Sequence, residues 1–379
     1  MDLVDWGILL VRVLIVFAGL LIGVVFFIWF ERKIIADFQT RTGPLRAGPR
    51  GILITAADGL KLFFKEAIMP TNADRSVYLL APILAVVPGF LAFAVIPFGS
   101  PVTLFGREIP LQLADLNIGI LWILAMTSLG VYTVVLAGWS SGSNYPLLGG
   151  VRSSAQMISY EVGMGLALIA VVMYSGHLRL SEIVAQQSGM WNVIPQFPAF
   201  LVFLIAGIAE TNRPPFDLAE AESELVAGFH TEYSGMRFAM FFLGEYVNTL
   251  VVAGVAVTLF LGGWHGPAPA FVPWLWPILW FLLKVTAVVY LFVLVRASLP
   301  RIRYDRLMSF GWKVLIPFGL VWIMLTAAIV LLPQEYGSRG RWMAAAVIAG
   351  TAAIATFVAP LVKAGGAPAS TETKQEVSA

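Results

Sequence analysis

The sequence contains no cysteine, which excludes disulfides, thiolate metal sites and cysteine-ligated iron–sulfur clusters. Charge is scarce too. Only 12% of the 379 residues are Asp, Glu, Lys or Arg, and a formal net charge of +2 offers no basic surface for nucleic acid. His177, His230 and His265 lack partners at metal-ligand spacing, so no metal site is expected. No Walker loop, no Gly-x-Gly-x-x-Gly after a strand and no nucleophile elbow is present. What the chain does have is apolar: 59% of its residues are hydrophobic, with 26 Phe and 12 Trp. That balance belongs to a membrane protein.

A segment crossing the hydrocarbon core needs ~20 mostly apolar residues, because its backbone N–H and C=O groups find no water there. About nine such runs are present, near residues 7–30, 77–98, 116–138, 155–174, 194–212, 237–262, 274–296, 312–332 and 342–362. They predict an all-α polytopic helix bundle occupying residues 1–362, and their unbroken length argues against a β-barrel. Asp2 and Asp5 replace the basic start of a signal peptide, so the first run is read as a retained span. Arg and Lys gather after the first run (Arg32, Lys33, Arg41, Arg46, Arg50, Lys61, Lys65, Arg75) and after the seventh (Arg301, Arg303, Arg306, Lys313). These connections are expected to face the cytoplasm and the N-terminus the outside. The tail 363–379 is small and polar, and disorder is expected there.

Two cytoplasmic connections are too long to be turns. In 31–76, Ile52, Ala56, Leu60, Phe63 and Ala67 recur at helical spacing, while Asp58, Lys61 and Lys65 share another face, predicting an amphipathic interfacial helix. In 209–236, Pro214 and Pro215 end the fifth run, and Asp217 with Glu220 three residues on suggests a helix start. Continued to about Ala227, that helix would place Asp217, Glu220 and Glu224 in one sector, with Glu222 elsewhere. No Lys or Arg lies between Arg213 and Arg237 to neutralise them. Hydrated surface acids are the simplest account of such a loop. Glu245 and Lys284 are harder to explain that way, because each falls well inside an apolar run, where a charge costs ~2.5–3.5 kcal/mol. Arg12 also lies within a run, and Glu161 and Glu210 lie at helix ends. Together they suggest a polar track from the acidic loop into the bundle.

Four stretches carry a resemblance: "ERKIIADFQTRTGPLRAGPRGILITAADGLKLFFKE", "YPLLGGVRSSAQMISYEVGMGLAL", "AETNRPPFDLAEAESELVAGFHTEYSGMRFAMFFLGEY" and "VRASLPRIRYDRLMSFGWK". Long, ordered and spread over residues 31–313, they resemble the motifs of the H-subunit family of bacterial respiratory complex I, the proton-translocating NADH:quinone oxidoreductase. The ninth run and the tail resemble versions with a C-terminal extension.

The resemblance implies a multi-pass subunit of the bacterial inner membrane that encloses the membrane part of a quinone chamber. Its partners would be soluble subunits holding the terminal iron–sulfur cluster and the quinone head-group site, neighbouring membrane-arm subunits, and lipid. Ubiquinone or menaquinone would be a substrate, not a resident cofactor. Arg32, Arg41, Asp58, Lys61 and Arg296 match polar positions of the chamber, and Phe229, Tyr233 and Tyr246 are candidate aromatic wall residues. Glu210, Asp217, Glu220, Glu222 and Glu224 match the acidic loop that couples the cavity to the membrane arm, with Glu161 and Glu245 continuing inward; Lys284 is a further candidate for that path. Two alternatives are a quinone-independent anchor of a related membrane-bound hydrogenase and a stand-alone proton or cation transporter. The transporter predicts internal inverted repeats, and none is found in the sequence.

Overall fold

The computed structural model describes residues 3–104, 107–217, 222–268 and 274–365. Seven helices among them are long and apolar enough to cross a membrane. They are formed by α1 (Leu3–Phe38), α3 (Arg75–Phe93), α4 (Gly119–Ser140), α5 (Asn144–Ser175), α9 (Gly235–Phe260), α10 (Leu275–Ser298) and the run Tyr304–Gly337, which joins α11 (Tyr304–Phe310) to the start of α12 (Ile316–Gly365). The apolar run predicted at 194–212 is shorter than expected. It folds as the 14-residue α7 (Phe197–Glu210), and the chain has left the helix by Asn212, whose φ is 51°. The ninth run, 342–362, is helical as part of α12, which is interrupted at Gly337 (φ 57°).

Two compact units divide the chain, the first ending at Leu320 and the second beginning at Val321 inside α12. In the first unit α9 is the central helix. Nearly every residue from Val247 to Phe260 is buried, against α3 on one side and α7 and α10 on others. Small residues permit the approach: a Cβ on Gly244 would run into the Ala85 carbonyl of α3, and one on Gly149 would come within 2.8 Å of the Gly228 backbone. Helix α1 packs on α9 and α10 with Leu20, Val24, Phe27 and Glu31 buried, a 4-3-4 spacing that keeps one stripe facing inward.

The short elements lie at the two ends. At one end are α2 (Ile54–Phe64) and α8 (Glu222–Leu225). At the other are α6 (Leu180–Gln186) and a hairpin, β1 (Val102–Leu104) with β2 (Arg107–Ile109), paired antiparallel. Helix α2 has no buried residue and exposes Leu60, Phe63 and Phe64, as an interfacial helix would. Two expected boundaries shift. Helix α1 continues to Phe38, so the connection expected to begin at residue 31 begins after it, and α5 starts at Asn144, taking in the polar Arg152–Ser154 stretch. The helix expected from Asp217 to Ala227 is described only as α8; residues 218–221, Glu220 among them, lie outside the described residues, as does the side chain of Glu222. Of the tail, 366–379 lies outside them as well.

Candidate functional site

Four ionisable side chains from four segments meet inside the first unit. Glu31 (3% exposed) comes from the inward stripe of α1, Arg213 (7% exposed) from the turn after α7, Glu245 from α9 and Arg296 from the last turn of α10. Arg213 Nη1 donates to both carboxylate oxygens of Glu31 at 3.0 Å, and its Nε lies 2.7 Å from Glu245 Oε1. Arg296 donates to the same Glu31, and the Tyr246 hydroxyl donates to Glu31 Oε2 at 2.7 Å. The guanidinium of Arg213 sits 4.0 Å from the centre of the Tyr246 ring. Burial opposes charge on Arg213, but Glu245, Tyr246 and Glu31 outweigh it and hold its pKa above the usual arginine value. Two carboxylates and two guanidiniums leave the cluster formally neutral, the condition under which buried charges are tolerated.

The turn carrying Arg213 is pinned. Gln156 of α5 donates to the carbonyls of Ala209 (2.7 Å) and Phe216 (2.8 Å), Ser153 donates to Asn212, and Ile302 N–H reaches Pro215 O at 3.1 Å. Both prolines therefore lie in a segment held by hydrogen bonds from α5 and from Ile302.

Beside this cluster lies a cavity of about 90 Å³ between α3, α4, α7 and α9, bordered by Thr127, Glu210, Thr211, His230, Glu245 and Asn248. A second, of about 10 Å³, is bordered by Phe27, Glu31, Thr211, Arg213 and Arg296. Since one water needs roughly 10–15 Å³ by this measure, the first has room for several and the second for at most one. Glu210, 3% exposed, closes α7 with its Oε2 lacking a hydrogen-bond partner among the described residues. Its negative neighbour is Glu161 of α5, which accepts from Ser128 of α4. Burial pushes the imidazole of His230 down to about 4, so the ring is neutral at pH 7.

The other sequence candidates divide. Glu245, Tyr246 and Arg296 join the central cluster, and Glu161 and Glu210 the cavity side. Phe229 borders the large cavity, edge-on to Phe241 at 5.5 Å. Tyr233 is packed away, stacked on Tyr78 at 4.0 Å and bonded to Ser140. Arg32, Asp58 and Lys61 form an exposed group between α1 and α2, with Arg32–Asp58 at 2.8 Å and Lys61–Asp58 at 3.7 Å; Arg41 is exposed in the following loop. Asp217 sits half-buried and adds negative charge near Glu245. Glu224 is neutralised after all, by Arg152 of α5 at 2.7 Å. Lys284 is not brought to the acids: its Nζ donates to the carbonyls of Leu261, Gly263 and His265 at 2.7–3.0 Å and lies 4.3 Å from the Trp191 ring, at the far end of α9.

Glu31 and Arg213 were not singled out from sequence. Glu31 looked like the first residue of a loop, and only its register with Leu20, Val24 and Phe27 marks it as inward-facing. Arg213, the lone cation of an acidic stretch, offered composition as its only signal.

The sequence model of the NADH dehydrogenase family matches residues 11–327. The chain belongs to that family. Similar relatives include the H subunit of the NADH-quinone oxidoreductase of Frankia casuarinae, 52% identical over 363 residues that cover 94% of this chain and 80% of the relative. The corresponding H subunit of Frankia alni is 51% identical with the same coverage. The resemblance read from the four motifs thus holds over most of the chain, and this NADH dehydrogenase family member is a multi-pass membrane subunit of an NADH-quinone oxidoreductase. Among the described residues no group of His, Asp and Glu could hold a metal ion. With no cysteine in the sequence, cysteine-ligated redox centres must be carried by other subunits.

Proposed function

We propose that this subunit forms the lipid-side wall of a quinone chamber and passes the electrostatic effect of quinone reduction to a proton path of buried carboxylates. The observation that carries the reading is the divergence of two consecutive residues on α1. Arg32 turns outward to Asp58 of the exposed α2, while Glu31 turns inward to Arg213 and Arg296. One helix turn therefore connects a polar surface beside an apolar interfacial helix to the charged centre of the bundle.

A quinone tail partitions from lipid onto apolar surface, and a few polar groups orient the head. Arg32, Asp58, Lys61 and Arg41 are the candidates, with partner subunits closing the chamber over them, since neither cavity is lined by α2. The partners are the other subunits of the oxidoreductase, and the exposed α2 side faces the soluble ones in the cytoplasm, with the N-terminus outside. Reduction adds negative charge in a poorly screened region, which raises the proton affinity of carboxylates nearby. Glu31, Glu245, Glu210 and Glu161 form the series that responds, and Asp217, Glu220 and Glu222 supply protons from the loop, whereas Glu224, exposed and paired with Arg152, is peripheral to it. Because the turn through Arg213 is pinned, the response is a change in protonation and ion pairing.

In the intact complex, Asp58→Asn and Arg296→Ala are expected to raise KM for quinone or lower its turnover with assembly preserved. Unchanged quinone kinetics in both would remove the chamber assignment and leave a membrane anchor.

A further inference from the structure

We infer that Arg213 is a positioning residue that couples the two cavities electrostatically while keeping protons from passing between them. The inference deepens the proton-path reading above and rests on it. Glu31 borders only the small cavity and Glu245 only the large one; Thr211 is the residue common to both linings. Between the two carboxylates stands the Arg213 guanidinium, with Nη1 on Glu31 at 3.0 Å and Nε on Glu245 at 2.7 Å. A guanidinium stays protonated at any pH a cell reaches, so it cannot relay a proton by giving and taking one, as a water or a histidine can.

It can transmit charge. Both carboxylates draw on the same cation, so neutralising Glu245 leaves Arg213 to Glu31 alone, and new negative charge beside Glu31 weakens the hold on Glu245. Among the described residues, the other groups facing the pair are Arg296, which bonds Glu31 and also lies near Glu245, the Tyr246 hydroxyl on Glu31, and Asp217 near Glu245. The Tyr246 ring at 4.0 Å and Phe27 at 5.8 Å keep the guanidinium in plane between its partners. The planar guanidinium holds two carboxylates at once, Glu31 by hydrogen bonds from Nη1 and Glu245 by a close ion pair at Nε. Lysine, a compact point charge on a flexible stem, serves one well and the other poorly.

The test uses the intact complex in proteoliposomes, reading quinone reduction, proton-to-electron ratio and the pH profile for Arg213→Lys and for a double-mutant cycle of Glu31→Gln with Glu245→Gln. Arg213→Lys is expected to lose a larger share of proton translocation than of electron transfer, so the ratio falls. In the cycle, the two substitutions should shift the pH profile non-additively, with a coupling of about threefold or more that disappears in the Arg213→Lys background. A purely structural role would lower assembly and rate together and leave ratio and pH profile at wild-type values; that result overturns the inference, as do additive shifts in the cycle. If Arg213→Lys does not assemble, the cycle in the native background decides alone. Additive shifts together with impaired Glu245→Gln remove only the coupling role, whereas a wild-type Glu245→Gln removes the proton-path reading and this inference with it.

Discussion

Helix α9 carries one buried charge in its first half and faces another, on α10, beyond its end, and the two are treated differently. In that first half, Glu245 shares Arg213 with Glu31, and Arg296 completes a cluster of opposite side-chain charges. Past its finish, Lys284 is surrounded by three backbone carbonyls, which are fixed dipoles. Both arrangements offset the cost of burying an ion. Only the first can respond when charge is added nearby, because its partners can gain a proton or exchange contacts. Lys284 instead ties down three carbonyls of the cap and loop that follow α9, a cation just beyond a helix C-terminus.

Substitution separates the two ends. Glu210→Gln and Glu245→Gln should leave the complex assembled while turnover and proton uptake fall together by about tenfold or more, the range in which positioned proton carriers contribute. Pumping at full rate in both would end the distinction. Lys284→Met should do the reverse. Leaving buried carbonyls unpaired costs about 1–3 kcal/mol, so the amount of assembled complex and its thermal midpoint should drop while turnover per assembled complex holds. A turnover loss at normal assembly would return Lys284 to the proton path.

A sharper contrast lies within the acidic stretch itself. Glu210 is enclosed, whereas the Glu224 side chain is 53% exposed and paired with an Arg152 side chain that is 36% exposed. Exposed pairs contribute little, about 0–1 kcal/mol. Glu224→Gln is therefore expected to change turnover by no more than about twofold, and a loss equal to that of Glu210→Gln would show that exposure is a poor guide to role here.

His230 gives a pH-dependent version of the comparison. Its pKa falls on folding from the ordinary 6.5 to about 4 because burial disfavours the charged ring. The unfolded chain then binds the proton more readily between those values. Stability is unaffected above about pH 6.5 and is lost as pH falls toward 4, by about 1 kcal/mol at pH 5.5. In His230→Gln that loss should be absent from the thermal midpoints measured between pH 7.5 and 5.5, whatever the midpoint at neutral pH; an undiminished loss would place its source elsewhere.

Most of the bundle was legible in the sequence because a bilayer forces long apolar runs to be helical. The site was legible only in part, because periodicity shows which residues share a face but not which segments meet. Glu245 and Lys284 announced themselves equally, as charges in apolar runs, yet only contacts between segments show that one faces charges and the other carbonyls. Glu31 was hidden by proximity to a basic loop; its α1 helix outlasts the apolar run by two turns. Arg152 lies in a polar stretch that reads as a connection but folds as the start of α5, which is how it reaches Glu224 across 72 residues of sequence.

The central claim is that the enclosed carboxylates feel quinone reduction. Redox-induced infrared difference spectra of the intact complex, wild type against Glu210→Gln, test it through the carboxyl C=O stretch. The expected result is a protonation band that appears on quinone reduction and is lost in the variant while electron transfer continues. Identical difference spectra in the two proteins would contradict the account.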